Sequence, residues 1–310
     1  MVSTIVGKHC IYQMDGWIRR RSSPRSSPRS SPQILSSVGV IPILQLEDHI
    51  CPTTTTVSSI KDCVDHIFYV NLDRCTERRQ YIESVVSVHP TVESVPIHRI
   101  SAMDGSTTDV DEYVSFQSPY TKNPLVSNAV YGCTISHIRA IEQFANMGAD
   151  GSIALIVEDD VSLEFSPYWP ATMKQCIDAA PPDWEILQVS SIPYYHHDRV
   201  NRAGYDYDLW NIRKKVCGTA AYLITHQAAQ RIIQFLHRRS KVDRDDTKYC
   251  IGPPMSRWYQ SDVLIYDFLC TYTVYPPPFT YRDNNDSMIH SDHLSFHVQM
   301  KEHTKRMYLS

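Results

Sequence analysis

The most strongly patterned part of the chain is an unbroken apolar run, Ile153 to Val157, that ends in the carboxylates Glu158, Asp159 and Asp160. A run without polar alternation predicts a strand buried on both faces, as in a parallel sheet. Ligands of open α/β sheets bind outside the carboxyl ends of such strands, so the acids lie where a ligand is expected. Because side chains alternate along a strand, Glu158 and Asp160 are predicted to face one side and Asp159 the other.

Other apolar and β-branched segments predict further strands, and 3.6-residue periodicity predicts the helices between them. The predicted strands are 66–73, 97–100, 184–190, 216–225 and 271–275. The predicted helices are 76–86, 132–147, 168–180 and 227–238. Asp73 or Thr76 is the predicted N-cap of the first helix, Thr134 of the second and Thr225 of the fourth. The polar stretch 191–215 predicts a long loop. Strands alternating with helices indicate an α/β domain with a mostly parallel sheet flanked by helices.

The first 60 residues have a different composition from the rest. Residues 21–32 are three copies of Arg-Ser-Ser-Pro, and residues 53–59 are mostly Thr and Ser. Such segments bury too little apolar surface to offset their ordering entropy. We therefore predict a disordered basic tail and linker over residues 1–60 and a folded domain over residues 61–310.

Charge is unevenly distributed between these two parts. Residues 1–32 carry six basic side chains and one acid, a net charge of +5, so the rest of the chain carries −9 of the total of −4. An acidic domain argues against a nucleic acid partner, whose binding surface should be basic. The nine cysteines show no CxxC or Cys/His finger spacing, which favours neither a zinc finger nor a complete disulfide framework.

No stretch reaches the roughly 18 to 20 consecutive apolar residues that span a bilayer. The nearest, residues 34–46, is short and interrupted by polar residues and a proline. We therefore expect a soluble protein without a transmembrane span. We favour a cytoplasmic location over the secretory lumen, although no sequence pattern decides the compartment.

The three acids after the apolar run suit a divalent cation. Adjacent carboxylates repel one another, and oxygen ligands favour Mg²⁺ or Mn²⁺; a solvated acidic turn is the alternative. Arg78 and Arg79 stand in the first turns of a predicted helix, where positive charge is unfavourable. Their position favours an anionic ligand such as phosphate or carboxylate.

Two further residues have both structural and functional interpretations. His137 is predicted in the first turn of its helix, off the apolar stripe, where the ring can meet a ligand or the backbone. Asp262 opens the apolar segment 263–265. It is either a helix cap or a carboxylate held at the edge of the core.

Several of these segments recur in an order that resembles one known family. They are Val70-Asn71-Leu72-Asp73 with Arg78, Ala102-Met103-Asp104-Gly105, Gly132-Cys133 with Ser136-His137, Val157-Glu158-Asp159-Asp160-Val161, and Gly218-Thr219 leading to Ala221-Tyr222-Leu223-Ile224. The series resembles glycosyltransferase family 25, the family of the lipooligosaccharide and procollagen galactosyltransferases, over about residues 65–278.

The resemblance implies a GT-A type fold and a metal-dependent transfer reaction. A hexose, most often galactose, would pass from a UDP-sugar to a glycan or protein hydroxyl with inversion. Glu158 and Asp160 would bind Mn²⁺ (or Mg²⁺), and a C-terminal histidine, His290 or His293, would complete the metal site. The implied substrate-binding residues are Asn71, Asp73, Arg78, Asp104, Ser136, His137 and Asp159.

An inverting transfer also needs a base for the acceptor hydroxyl. The candidates are Asp159, Asp262, Asp283 and Asp286. We prefer Asp262 as the catalytic residue, because the apolar segment that follows it would hold it rigidly.

Two other functions suit the same residues. A metal-dependent phosphoesterase also uses acids at a strand end, although the sequence lacks a second tight His/Asp cluster for two metals. A non-catalytic relative that binds nucleotide or glycan is the other alternative, and the presence of all three acids, Arg78 and Asp262 argues against it.

Overall fold

A computed structural model describes residues 59–116, 122–123, 126–193, 204–211, 216–243, 248–251, 260–282 and 294–309. The predicted disordered tail lies outside the described residues except for its last two positions. Ile60, one of these two, is fully buried and donates its backbone N–H to Thr91 O at 2.8 Å. The boundary between tail and domain stays a prediction.

The described residues form thirteen strands and six α-helices. The strands are β1 (His66–Leu72), β2 (Ile97–Ala102), β3 (Val114–Phe116), β4 (Ile153–Glu158), β5 (Val161–Ser162), β6 (Ile186–Gln188), β7 (Ile192–Pro193), β8 (Asp206–Leu209), β9 (Val216–Cys217), β10 (Ala221–Thr225), β11 (Tyr249–Ile251), β12 (Thr271–Tyr275) and β13 (Thr280–Tyr281). The helices are α1 (Thr76–Tyr81), α2 (Asn128–Met147), α3 (Met173–Ala179), α4 (His226–Asp243), α5 (Ser261–Phe268) and α6 (Leu294–Leu309).

A seven-stranded sheet forms the centre of the domain, in the order β2-β1-β4-β10-β6-β12-β8. Five of its strands run in one direction, and β10 and β8 run against them. β4 is an interior strand, third in this order, between β1 and β10. The predicted α/β class, a mostly parallel sheet flanked by helices, is confirmed.

Both faces of the sheet are covered, which explains the unbroken apolar runs. In β1, Phe68 and Val70 pack with α2, α4 and α5, whereas Ile67 and Tyr69 pack with α3 and the π-helical turn Ile82–Val86. The apolar residues of β4 alternate between the same two clusters. Burying each such side chain contributes about 1.5–3 kcal/mol, so β4 is held firmly up to its last residue.

Helix α2 begins four residues before its predicted start at Gly132. Thr134, the predicted cap, lies inside the helix, is fully buried and donates to Val130 O at 3.1 Å. A Cβ at Gly132 would come within 2.6 Å of Met103 O. The glycine therefore marks a close contact between α2 and the segment after β2, not the start of a helix.

The caps predicted for α1 are also wrong. Its N-cap position is Cys75, without a side-chain hydrogen bond. Asp73 cannot cap the helix because its carboxylate accepts hydrogen bonds from Arg99 and Ser101. The predicted cap of α4 is confirmed, since Thr225 Oγ1 accepts the Ala228 N–H at 3.2 Å.

Helix α3 begins later than its predicted start at Tyr168. Pro170 favours an extended conformation at the residue before it, and this interrupts the helix. Thr172 and Gln175 then form a reciprocal capping box at the start of α3.

The segment predicted as a loop over residues 191–215 contains two strands, β7 and β8. β8 joins the edge of the central sheet beside β12, and β7 pairs with β9. The strand predicted over 216–225 is divided into β9 and β10, because Gly218 adopts a φ of 103° between them. That turn lies beside the end of β4.

Candidate active site

The three acids at the end of β4 do not alternate as predicted. Asp159 and Asp160 are 7% and 6% exposed and share one cation, Arg78. Its Nη1 lies 3.0 Å from Asp159 Oδ1 and 3.4 Å from Asp160 Oδ2. β4 ends at Glu158, so the next two residues follow a turn rather than the pleat, and both turn toward α1.

Asn71 joins this group from the end of β1. It is buried, and its Nδ2 donates to Asp159 Oδ2 at 2.7 Å and to Cys75 O at 3.1 Å. Its Oδ1 accepts from Arg99 Nε at 3.1 Å. Burial raises the pKa of Asp159, and Asn71 and Arg78 oppose that shift. Asn71 and Arg78 together hold the Asp159 carboxylate in place.

Asp73 and Asp104 line a cavity of about 410 Å³ near the ends of β1 and β2. A hydrogen bond from Arg99 lowers the pKa of Asp73. Asp104 accepts from Arg74 Nε at 2.5 Å, which lowers its pKa to about 2. The cavity is lined by Asp73, Arg74, Ala102, Met103, Asp104, Thr107, Thr108, Tyr113 and Arg139.

Ser136 lies beneath the segment that follows β2. Its hydroxyl donates to Gly132 O at 2.6 Å and accepts the Met103 N–H at 2.8 Å, and the side chain is fully buried. These contacts fasten the segment that carries Asp104 to α2. Ser136 thereby fixes one wall of the cavity.

His137 is fully buried in the third turn of α2, not near the helix start where it was predicted. Its Nδ1 lies 3.3 Å from the Tyr222 hydroxyl, and its Nε2 lies 3.4 Å from Glu158 Oε1. Burial alone would lower the pKa of His137, but Cys133 and Glu158 raise it above its ordinary value.

Glu158 belongs to this second group, on the side of α2. Its Oε1 accepts from Thr219 Oγ1 at 2.7 Å. The ligand atoms of Cys133, His137 and Glu158 lie within 4.8 Å of one another. Sequence reasoning named neither Cys133 nor Thr219 as site residues, although the four-residue spacing of Cys133 and His137 places both on one helix face.

Asp262 stands in the first turn of α5, beside the turn at Gly218. The N-cap is Gln260, so the capping interpretation of Asp262 is wrong. Its Oδ2 accepts the Gly218 N–H at 3.3 Å, and burial raises its pKa. The other base candidates, Asp283 and Asp286, lie outside the described residues, as do the predicted metal ligands His290 and His293.

A family model for glycosyltransferase family 25 (LPS biosynthesis protein) matches residues 64–247, more than half of the chain. The chain belongs to glycosyltransferase family 25. The match includes α1, α2, β4 and the turn at Gly218, and it ends before Asp262. Membership in this family favours the glycosyltransferase interpretation over the phosphoesterase one.

Two curated relatives are both named glycosyltransferase 25 family member. The protein from Drosophila pseudoobscura pseudoobscura is 26% identical over 219 residues, which cover 64% of this chain and 32% of that protein. The protein from Aedes aegypti is 26% identical over 219 residues, which cover 65% and 32%. The chain thus spans about a third of the length of the curated relatives it matches.

Solved structures show remote similarity. A glycosyltransferase involved in the glycosylation of the major capsid of PBCV-1 aligns with a TM-score of 0.35 and 10% identity, covering 79% of this chain and 99% of that one. An active-site mutant of LgtC aligns with a TM-score of 0.30 and 11% identity, covering 76% and 95%. Among the described residues, no helix combines the length and apolar character needed to cross a membrane.

Proposed function

We propose that the protein transfers a hexose, with galactose as the first candidate, from a UDP-sugar to a glycan or protein hydroxyl with inversion. The observation that carries this proposal is the pair of buried carboxylates Asp159 and Asp160, which share Arg78 just beyond the end of β4. Family membership supplies the reaction class.

The cavity near β1 and β2 suits the nucleoside part of the donor. Asp73 and Asp104 offer carboxylate acceptors for ribose hydroxyls. Arg74 and Arg139 supply positive charge for an anionic ligand, and Arg139 lies over the Tyr113 ring at 5.1 Å. An aromatic face backed by a guanidinium suits the stacking of a base.

Carboxylate oxygens at Glu158 and Asp160 match the donor set that Mn²⁺ or Mg²⁺ prefers. Glu158 is partly exposed, with 30% of its side chain accessible. If Arg78 moves away from Asp160 and toward the donor diphosphate, the Asp160 carboxylate can bind such an ion. Bound there, the ion would neutralise the charge that develops on the leaving UDP. Arg78 then supplies a second positive charge to the same phosphates.

Asp262 is the proposed base. It takes the proton from the acceptor hydroxyl while that oxygen bonds to the anomeric carbon, and the bond from that carbon to the diphosphate oxygen breaks with its electron pair. Burial raises the pKa of Asp262, which makes its carboxylate a stronger base than an ordinary one. Asp159 is less suitable, because Asn71 and Arg78 hold its carboxylate.

Calorimetry of UDP binding, with and without Mn²⁺, tests the donor site. We expect Mn²⁺ to strengthen UDP binding to the wild type and not to Asp160→Asn. The matched control is Asp178→Asn, which alters an exposed acid of α3 paired with Lys174. Unchanged Mn²⁺-dependent affinity in a folded Asp160→Asn variant would remove Asp160 from the site.

A further inference from the structure

We propose that Cys133, His137 and Glu158 form a binding site for a soft divalent cation, Zn²⁺, which lies beside the proposed Mn²⁺ site and shares the Glu158 carboxylate with it. Two of these ligands lie one turn apart on α2, and the third ends β4. Their ligand atoms lie within 4.8 Å of one another. A tetrahedral Zn²⁺ with such ligands separates them by about 3.3–3.6 Å, given bonds of about 2.0–2.3 Å. Small side-chain movements would therefore bring the three ligand atoms to the separations that a bound Zn²⁺ requires.

The buried histidine provides an independent sign of a ligand. His137 Nε2 is inaccessible to solvent and makes no well-formed hydrogen bond among the described residues. It points toward Glu158 Oε1, 3.4 Å away, and Cys133 lies beside it. Buried polar nitrogens are rarely left in this condition. A cation between the three groups would satisfy the nitrogen.

A hydroxyl orients each of the three ligands. Tyr222 lies 3.3 Å from His137 Nδ1, Thr219 donates to Glu158 at 2.7 Å, and the Ser261 hydroxyl lies 3.5 Å from Cys133 Sγ. Metal-binding histidines commonly bond through their second nitrogen to a neighbouring group, and ligating carboxylates are hydrogen-bonded as well. A simple His–Glu ion pair would require neither the thiol nor the Ser261 contact.

The charges and the chemistry of the donor set favour Zn²⁺ over Mn²⁺ or Mg²⁺. Sulfur and imidazole nitrogen are ligands for Zn²⁺, whereas Mg²⁺ and Mn²⁺ prefer oxygen. One thiolate, one carboxylate and a neutral imidazole balance the two positive charges, which lowers the cost of burial. As the metal binds, the Cys133 S–H bond and the His137 Nε2–H bond break and both protons pass to solvent, without any change of oxidation state. Entry is from the Glu158 side, where the carboxylate is partly exposed.

Titration of the full, reduced chain with Co²⁺ alone, as a spectroscopic substitute for Zn²⁺, tests the site. We expect thiolate-to-cobalt charge-transfer absorption that Zn²⁺ abolishes and excess Mg²⁺ does not. In Cys133→Ser the absorption should disappear, and Zn²⁺ affinity should fall by more than the roughly 10- to 100-fold that loss of an outer-shell partner typically costs. The control is Cys270→Ser, which alters an exposed cysteine and should keep the wild-type spectrum.

A second measurement requires no variant. Alkylation of wild-type Cys133, followed by peptide mass spectrometry, should slow in the presence of Zn²⁺, while alkylation of Cys270 should not. Equal alkylation of Cys133 with and without Zn²⁺ would overturn the proposal. So would the absence of a thiolate band in the wild type, or a band that survives Cys133→Ser. None of these measurements depends on glycosyl transfer.

Discussion

Replacing Arg78 by alanine leaves two buried carboxylates without their shared cation. The side chains of Arg78, Asp159 and Asp160 are 15%, 10% and 9% exposed, so water replaces the guanidinium poorly. Removing one partner of a buried ion pair costs about 3–5 kcal/mol. We expect Arg78→Ala to lower the free energy of unfolding by about that amount at neutral pH, as measured by urea denaturation.

The loss should depend on pH in a defined direction. Burial already raises the pKa of Asp159 in the folded protein, and Arg78 opposes this shift. Without Arg78 the folded-state pKa rises further above the unfolded value, so the folded variant binds more protons than the unfolded chain. The destabilisation caused by Arg78→Ala should therefore be fully present above the raised pKa of Asp159. It should shrink as the pH falls toward the pKa that Asp159 has in the unfolded chain. Arg78→Ala combined with Asp159→Asn should recover part of the loss.

Arg79→Ala is the matched control. Arg79 is 44% exposed and pairs with Glu83 one turn along the chain, and such a solvent-screened ion pair contributes little to stability. In the activity assay, Arg78→Ala should also raise KM for the UDP-sugar, while Arg79→Ala should not. Equal and small effects of the two substitutions on stability and on KM would refute the role assigned to Arg78.

Three further expectations follow from the site and the fold. Asp262→Asn should lower kcat by about 10²- to 10⁴-fold with donor binding retained. In the wild type, kcat should fall on acidification at a pH above the ordinary carboxyl range, because burial raises the pKa of Asp262. Near-normal kcat in that variant would move the search for the base elsewhere. Gly132→Ala should lower the free energy of unfolding, measured by urea denaturation, by about 1–3 kcal/mol, because the added Cβ would meet Met103 O. Gly204→Ala places its Cβ in open space and should lower that free energy far less. Equal losses would contradict the close contact between α2 and the segment after β2. Removal of residues 1–58 should preserve the melting temperature, and a large drop would show that the tail stabilises the domain.

The sheet and its acidic edge were predictable because burial on both faces leaves a direct mark in the sequence. The unbroken run at 153–157 identified β4, an interior strand of the sheet that ends in Glu158. β8 was missed because its sequence, Asp-Tyr-Asp-Leu, is largely polar, as an edge strand with a solvated face allows. Local pattern alone does not reveal that such a segment pairs with β12.

The environment of His137 could not be predicted for a different reason. Placing the start of α2 four residues too late put His137 in the first turn, near a ligand, whereas it lies under Tyr222 in the core. The division of the three acids between Arg78 and His137 depends on where β4 ends and on α2 packing beside it. Such tertiary contacts leave no periodic signal.

The central claim is most directly tested by measuring UDP release from UDP-galactose and other UDP-hexoses with Mn²⁺, first without and then with glycan and protein acceptors. We expect slow release without acceptor, faster release and a glycosylated product with a suitable hydroxyl, and loss of both in Asp160→Asn. Release of phosphate or of free sugar that no acceptor stimulates, at equal rates in wild type and Asp160→Asn, would contradict the assignment of glycosyl transfer to this edge of the sheet.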